Sequence, residues 1–459
     1  IFIFYNIFIN RKLYLNIRYT KKISKNIKKN IITIKKEVKN KKITLYPFNL
    51  FKNHKIIFTL IISIIFLLIS FQNMKVFKFI KNNIVSSEFI ESNYNQVDSS
   101  KIVLNEGKNL IYIYLESLET TFFTKDQGGD WDYEVIPEMY QILNDEDSIC
   151  FSCNNDGTGM YAVDGANFTT GAVVGNSTGL PLKVPIDANS YHSKNFMNGA
   201  YAIGDILKDK GYYNEVISSA TTSFGGLKEF FTKHGNYSII DIDSLKNYNF
   251  NPNSNDLSGW GFNDKYLFEL AKKRLKTLSK EKDKFNLTLI SIDTHFPDGY
   301  KGDYTIDKYN TQYENVYATE SKLVYDFITW VKKQSFYENT VIVIVGDHLS
   351  MQPNFFDKYD QTKRLVYNVI INSCNKEDSK DVRKYTAFDM LPTTLSAMGA
   401  KIFNDQIGLG VNLFSNKKTL TEEYGINKLN ENINLKSDFY NNKILGDDYK
   451  EMIKEEGKE

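Results

Sequence analysis

The chain has few cysteines and histidines, three and five in 459 residues, and almost no net charge, since 57 Lys/Arg against 55 Asp/Glu leave +2. Three cysteines exclude a scaffold built on disulfides. Cys150 and Cys153 are spaced C-x-x-C without a second pair, which argues against a structural zinc site and leaves a short-loop disulfide or two free thiols. Near-neutrality excludes binding of a polyanion such as nucleic acid through net charge. Repeats are absent, and so is any low-complexity linker beyond one basic stretch. The length is ample for a sizeable core. An opening Ile reads as a chain that lacks its true start.

The small net charge is a cancellation. Between Arg11 and Lys55 stand 15 Lys/Arg and one acid, Glu37, a net of +14, while the rest of the chain carries −12. Directly after the basic stretch comes IIFTLIISIIFLLISFQNM, Ile56 to Met74, with no charged side chain. At about 1.5 Å per residue this run covers roughly 28 Å, close to the thickness of a bilayer's hydrocarbon core. It reads as a transmembrane helix: a buried core helix would show a polar face, and a signal peptide would be shorter and nearer the start. The apolar opening, residues 1–9, reads as the possible end of an earlier span. The positive-inside rule keeps the basic segment cytoplasmic and places everything after Met74 outside the cell membrane, periplasmic or extracellular. The organisation expected is a basic segment 1–55, a span 56–74, a connector 75–107, a catalytic domain 108–413 and a polar, peripheral tail 414–459.

In the exported part, short apolar β-branched runs alternate with longer amphipathic ones. Asn109 to Glu116, Tyr213 to Ser218, Phe285 to Asp293, Thr340 to Asp347 and Leu365 to Ile371 have the near-continuous hydrophobicity of strands covered on both faces. Helical spacing fills the intervals around 202–211, 263–278 and 311–333. The alternation predicts an α/β fold, a largely parallel central sheet with helices on both faces.

Ligands in such sheets gather at the carboxyl ends of strands. Glu116 closes the first predicted strand, Asp293, Thr294 and His295 another, and Asp347 and His348 the next. Carboxylates and imidazoles leaving neighbouring strand ends form the donor set of a divalent transition metal or Mg²⁺. Between the first two strands lies the Gly-rich stretch 157–182, with Thr169 and Thr170 where a loop enters a helix. A hydroxyl there would stand beside backbone N–H groups and the positive helix end, suited to an anionic phosphorus centre. Threonine is a weak nucleophile until a metal lowers its pKa, so Thr169 requires the Glu/Asp/His cluster.

Seven segments carry a resemblance: IYLESLE (113–119), FTTGAVVGNSTGLPL (168–182), FGGLKEFFTKHG (224–235), GWGFND (259–264), DTHFPDGY (293–300), GDHLSM (346–351) and FDMLPTTLSAMG (388–399). In this order they resemble the membrane-anchored phosphoglycerol transferases of the alkaline phosphatase/sulfatase superfamily, over roughly 108–413. The resemblance implies one divalent metal, Mn²⁺ with Mg²⁺ or Zn²⁺ as alternatives, held by Glu116, Thr169, Asp347 and His348, with Thr169 also the nucleophile. It further implies that His295 meets the phosphate or leaving group and that Trp260 lines the glycerol-phosphate pocket. Glu119 is expected to be solvated or to stand behind the ligands, and Asp389 to cap the helix that follows it. The implied reaction moves phosphoglycerol from phosphatidylglycerol to a glycan or glycerol-phosphate acceptor through a threonine intermediate, with the membrane as partner and no nucleic acid. The rival readings are a phosphoethanolamine transferase, disfavoured by the few cysteines; another hydrolase of the superfamily; and an inactive scaffold. A sulfatase proper would need a C-x-P-x-R or S-x-P-x-R segment, and neither Cys150 nor Cys374 begins one.

Overall fold

The computed structural model of the chain describes residues 59–450 apart from 105–106, 155–156, 184–194, 249, 251, 253–256, 258 and 377–381, and the backbone alone of 37–38, 41–42, 55–58 and 154. The basic segment, except for an antiparallel pair of two-residue strands (Glu37–Val38 with Lys41–Lys42), and the apolar opening 1–9 lie outside the described residues. Contacts divide the chain into two compact units, Ile1–Ile80 and Lys81–Glu459.

In the first unit the uncharged run forms helix α1, Lys55–Asn73, and the large apolar side chains from Leu60 to Phe71 are exposed. Helix α2, Val76–Ile84, follows it. Among the described residues no single helix is long and apolar enough to cross a membrane; Thr59–Asn73 and Val76–Ile84 together are, by length and composition, with a 62° bend between them.

The second unit is built on a seven-stranded sheet. In chain order its strands are β1 (Asn109–Leu115), β2 (Ser148–Ile149), β3 (Tyr213–Ser218), β4 (Ser238–Ile240), β5 (Phe285–Ile290), β6 (Thr340–Gly346) and β7 (Asn368–Ile371). Their spatial order is β2-β7-β6-β1-β5-β3-β4. The five from β6 to β4 are parallel, while β7 runs antiparallel to β6 and β2 antiparallel to β7. The stretch between β6 and β7 holds only one short 3₁₀ turn, no crossover helix, so the chain turns back on itself. Successive side chains of β1 and β6 enter opposite cores. Leu110, Tyr112, Tyr114, Val341, Val343 and Val345 face one, and Ile111, Ile113, Leu115, Ile342 and Ile344 the other. Two-sided burial is why these strands read as unbroken apolar runs.

The first core takes its cover from helices Thr169–Thr178 (α3), Ile203–Asp209 (α4) and Met390–Ala397 (α7), the second from Asp264–Glu281 (α5) and Gln312–Lys332 (α6). From Lys81 onward both flanking segments belong to this unit. Ile90, Ile102 and Leu104 of the expected connector are buried in the first core, and Ile102–Val103 pairs with Lys401–Ile402. The segment expected as a polar, peripheral tail folds as far as Tyr449, with Leu429, Ile433, Tyr440, Ile444 and Leu445 in the same core. Its apolar residues recur four apart within a polar background, so composition concealed a helical stripe. Cys150 and Cys153 are joined in a disulfide. Asp389 does not cap the helix after it; its carboxylate accepts from the N–H groups of Thr386 and Val411.

Candidate active site

The sheet register brings the site together. Strands β6, β1 and β5 are parallel neighbours, with Gly346 opposite Leu115 and Ile290 opposite Tyr114, so Glu116, Asp347 and the 291–295 turn leave the sheet side by side. Gly346 is required where it stands, because a Cβ would meet the Leu118 carbonyl oxygen at 1.9 Å.

Glu116, Asp347 and His348 are all buried, and one ligand atom from each lies within 4.8 Å of the other two. His348 Nε2 is 3.6 Å from Glu116 Oε1 and 3.5 Å from Asp347 Oδ2. Donors about 2.1 Å from a shared ion at tetrahedral angles would be about 3.4 Å apart, so these separations suit one metal. Two further observations agree. His348 Nδ1 is 2.8 Å from the Leu349 carbonyl oxygen, which fixes its proton there and turns the Nε2 lone pair to the carboxylates. Asp347 Oδ1 accepts from the N–H groups of Ser117 and His348, while Oδ2 is buried without a hydrogen bond, an acceptor that a cation would satisfy. Burial, and then the Glu116 charge, push the Asp347 carboxyl up to about 7. Burial pulls His348 down, but Asp347 and Glu116 outweigh it and hold the imidazole above its ordinary value. Negative charge thus dominates this buried point, as a cation site requires.

Thr169 is the first residue of α3, and its Oγ1 donates to Glu116 Oε2 at 3.3 Å. No side chain caps the N–H groups at that helix end. Thr170 is more deeply buried and also lines the cavity. The cavity measures about 370 Å³; Glu116, Thr169 and His348 stand on its polar side, and Phe224, Trp260 and Met351 supply apolar wall. His295 lines it too. Its Nδ1 donates to the Phe296 carbonyl oxygen, its ring stacks on Phe296 and lies 5.6 Å from Trp260, and burial lowers its pKa. His295 is therefore neutral near pH 7, with Nε2 free to take a proton.

Two residues read from the sequence take other places. Asp293 does not join the ligands. It lies in a buried acidic group in which its Oδ2 accepts from the Asp264 N–H and from Tyr304, while Asp264 accepts from Ser219 Oγ and from the N–H groups of Ile292 and Asp293. Burial, then the Asp264 charge, hold Asp293 well above the usual carboxylate range. Glu119 is not solvated: it is fully buried, paired with Arg364 at 2.7 Å, and accepts from the Ser350 N–H. It therefore ties the loop after β1 to the loop after His348.

Sequence reasoning missed several supporting roles. Ser291 Oγ accepts from the Glu116 N–H, Thr294 Oγ1 donates to the Glu116 carbonyl oxygen, Ser117 contacts two of the ligands, and Arg364 binds Glu119 from 245 positions away. Thr294 stands among the strand-end residues read from the sequence, though not in this role; Ser117 adjoins Glu116 and could have been singled out; nothing in the sequence points to Arg364.

The family described as Sulfatase matches residues 173–400, a stretch that contains Asp347 and His348. Phosphoglycerol transferase I of Citrobacter koseri is 30% identical over 323 residues, 68% of this chain and 40% of that protein. The chain spans about two fifths of the length of the curated relatives it matches. A Vibrio parahaemolyticus protein of the alkaline phosphatase superfamily shares the fold with a TM-score of 0.54 at 21% identity, over 73% of this chain and 79% of that one. The lipoteichoic acid synthase LtaP from Listeria monocytogenes gives a TM-score of 0.52 at 17% identity, over 72% of this chain and 82% of that one. This chain is therefore similar to the Sulfatase family over residues 173–400, and it shares its fold with a protein of the alkaline phosphatase superfamily.

Proposed function

We propose that the chain is a metal-dependent phosphotransferase that moves a phosphoglycerol group from phosphatidylglycerol to an extracytoplasmic glycan or glycerol-phosphate acceptor. The carrying observation is the Thr169 hydroxyl at a helix N-terminus, 3.3 Å from Glu116 Oε2 and beside the Asp347/His348 pair. The likeness to phosphoglycerol transferase I supports the choice of group transferred.

Glu116, Asp347, His348 and Thr169 would hold the metal, Mn²⁺ in this reading. When bound, it lowers the pKa of the threonine hydroxyl and offsets negative charge on the phosphoryl oxygens. Thr169 Oγ1 attacks phosphorus, its proton passing toward the Glu116 carboxylate to which it already donates. The phosphorus–oxygen bond to diacylglycerol breaks, and the leaving oxygen takes a proton through His295, whose protonated form, the minor one near pH 7, first gains that proton from solvent. In the second half the acceptor hydroxyl gives its proton to neutral His295 Nε2 and attacks phosphorus, the bond to Thr169 Oγ1 breaks, and Glu116 returns the proton to the threonine oxygen. The N-terminus of α3 stabilises the anionic phosphoryl group throughout. Trp260 and Phe224, 5.2 Å apart at the cavity wall, enclose the glycerol end. The apolar helix α1, followed by the amphipathic α2, would anchor the chain in the cell membrane, with the basic segment inside and the catalytic unit outside, and so concentrate a lipid donor.

Mass spectrometry of protein incubated with phosphatidylglycerol tests the reading. A glycerophosphate adduct on Thr169, absent in Thr169→Ala together with diacylglycerol release, is expected. An adduct on Thr170 would move the nucleophile by one residue, and a phosphoethanolamine adduct from mixed lipids would name a different donor. Undiminished turnover by Thr169→Ala would sink the mechanism.

A further inference from the structure

We infer that Ser117 is the positioning residue that sets the two metal-binding carboxylates against each other. The inference rests on the metal reading above. Ser117 Oγ donates to Glu116 Oε1 at 2.6 Å, and the Ser117 N–H donates to Asp347 Oδ1 at 2.7 Å. One residue thus holds a carboxylate from the end of β1 and another from the end of β6, the latter 230 positions away from it in sequence. It can do so because its backbone is left-handed, with φ 52°, a conformation that serine adopts at a cost of about 1–2 kcal/mol. The side chain is fully buried, and Tyr317 OH donates to the Ser117 carbonyl oxygen at 2.7 Å, fixing the peptide from the α6 side.

The consequence for the ligands is specific. With Oδ1 of Asp347 taken by two backbone N–H groups, Oδ2 is the oxygen left for a cation. With Ser117 on Oε1 of Glu116, the carboxylate cannot rotate freely, and Oε2 stays directed at Thr169. Hydrogen bonds behind metal ligands of this kind raise affinity by holding the donors in place before the ion arrives. An unstrained turn would suffice if Ser117 only connected β1 to the next segment. Local strain at a buried residue touching two ligands is better accounted for by the ligand spacing it enforces.

Ser117→Gly separates these roles, since glycine accepts the left-handed backbone, keeps the N–H to Asp347 and removes the hydroxyl together with its Cβ. Calorimetric titration with Mn²⁺ alone is expected to show a Kd weakened about 10–100-fold, with the melting temperature of the metal-free protein within about 2 °C of wild type. Tyr317→Phe, which leaves Ser117 intact, is expected to weaken Mn²⁺ binding in the same direction by a smaller factor. A Kd within twofold of wild type in both variants overturns the inference, as does a loss of affinity explained by a lower melting temperature of the metal-free variants. Wild-type protein that binds no Mn²⁺ overturns the metal reading itself, a different outcome from unchanged variants of a protein that does bind.

Discussion

Arg364→Ala is expected to be among the most destabilising single changes away from the apolar cores. Glu119 has no exposed side-chain surface and Arg364 only 12%. The guanidinium reaches both carboxylate oxygens, donates from Nη2 to the Ser350 carbonyl oxygen at 2.8 Å and lies 4.3 Å from the centre of the Phe356 ring. Removing it leaves a buried carboxylate facing the Ser350 N–H, and loss of one partner of a buried pair costs about 3–5 kcal/mol. Unfolding entropy near 2.1 cal/mol/K per residue, over the unit Lys81–Glu459, gives about 0.8 kcal/mol/K, so the melting temperature should fall by about 4–6 °C. The sign of the pH effect follows from Glu119. Burial already raises its pKa, and Arg364 opposes the rise. Without Arg364 the folded protein binds the proton more tightly than the unfolded chain does, so the variant's deficit should be larger at pH 8 than at pH 5. Scanning calorimetry of the metal-free protein at both pH values measures this, and Glu119→Gln added to Arg364→Ala should restore part of the loss. A fall below about 1 °C, or a deficit that grows on acidification, would refute the reasoning.

His295→Gln should lower turnover by about 10²–10⁴-fold through loss of the proton carrier, while Mn²⁺ titration stays unchanged because His295 is outside the ligand trio; intact turnover would remove it from the chemistry. Thr170→Ala should retain donor cleavage, and its loss in that variant with retention in Thr169→Ala would exchange their roles. Burial raises Asp264 to about 6 and Asp389 to about 7 from an ordinary value near 3.8. Each group's stabilising contribution is whole below its unfolded pKa and is lost as pH rises through the folded one. Urea unfolding of the metal-free protein should therefore give a lower free energy at pH 8 than at pH 5, and the reverse slope would contradict the burial of these acids.

The sequence by itself determined the class of fold and the identity of the candidate ligands. Runs such as Thr340–Gly346 are apolar on both faces because each has a core on either side, and that fact is written in composition alone. The positions of Glu116, His295, Asp347 and His348 at strand ends follow from the same runs, since a polar residue that closes a parallel strand must lie on the ligand-binding edge. Local pattern was weaker where the apolar signal was diluted: Leu429 and Ile433 made one short stripe within a polar segment, and the two-residue strand Ser148–Ile149 left no pattern at all.

Tertiary structure alone decided which of those polar residues meet. Strand order placed β1 between β6 and β5, bringing Glu116 to Asp347 and His348, whereas the backbone turn after β5 sent Asp293 into contact with Asp264 and Tyr304. Glu119 and Arg364 are 245 positions apart, and Ser117 and Asp347 230; charge and polarity say that such groups need partners, but not which ones. The left-handed backbone of Ser117 belongs to the same category, because a serine reveals no φ until the neighbours that hold it are in place. Local chemistry, the kind a sequence carries, sets what each residue is able to do. Long-range strand pairing brings Glu116, Asp347 and His348 to within one ion's reach of one another.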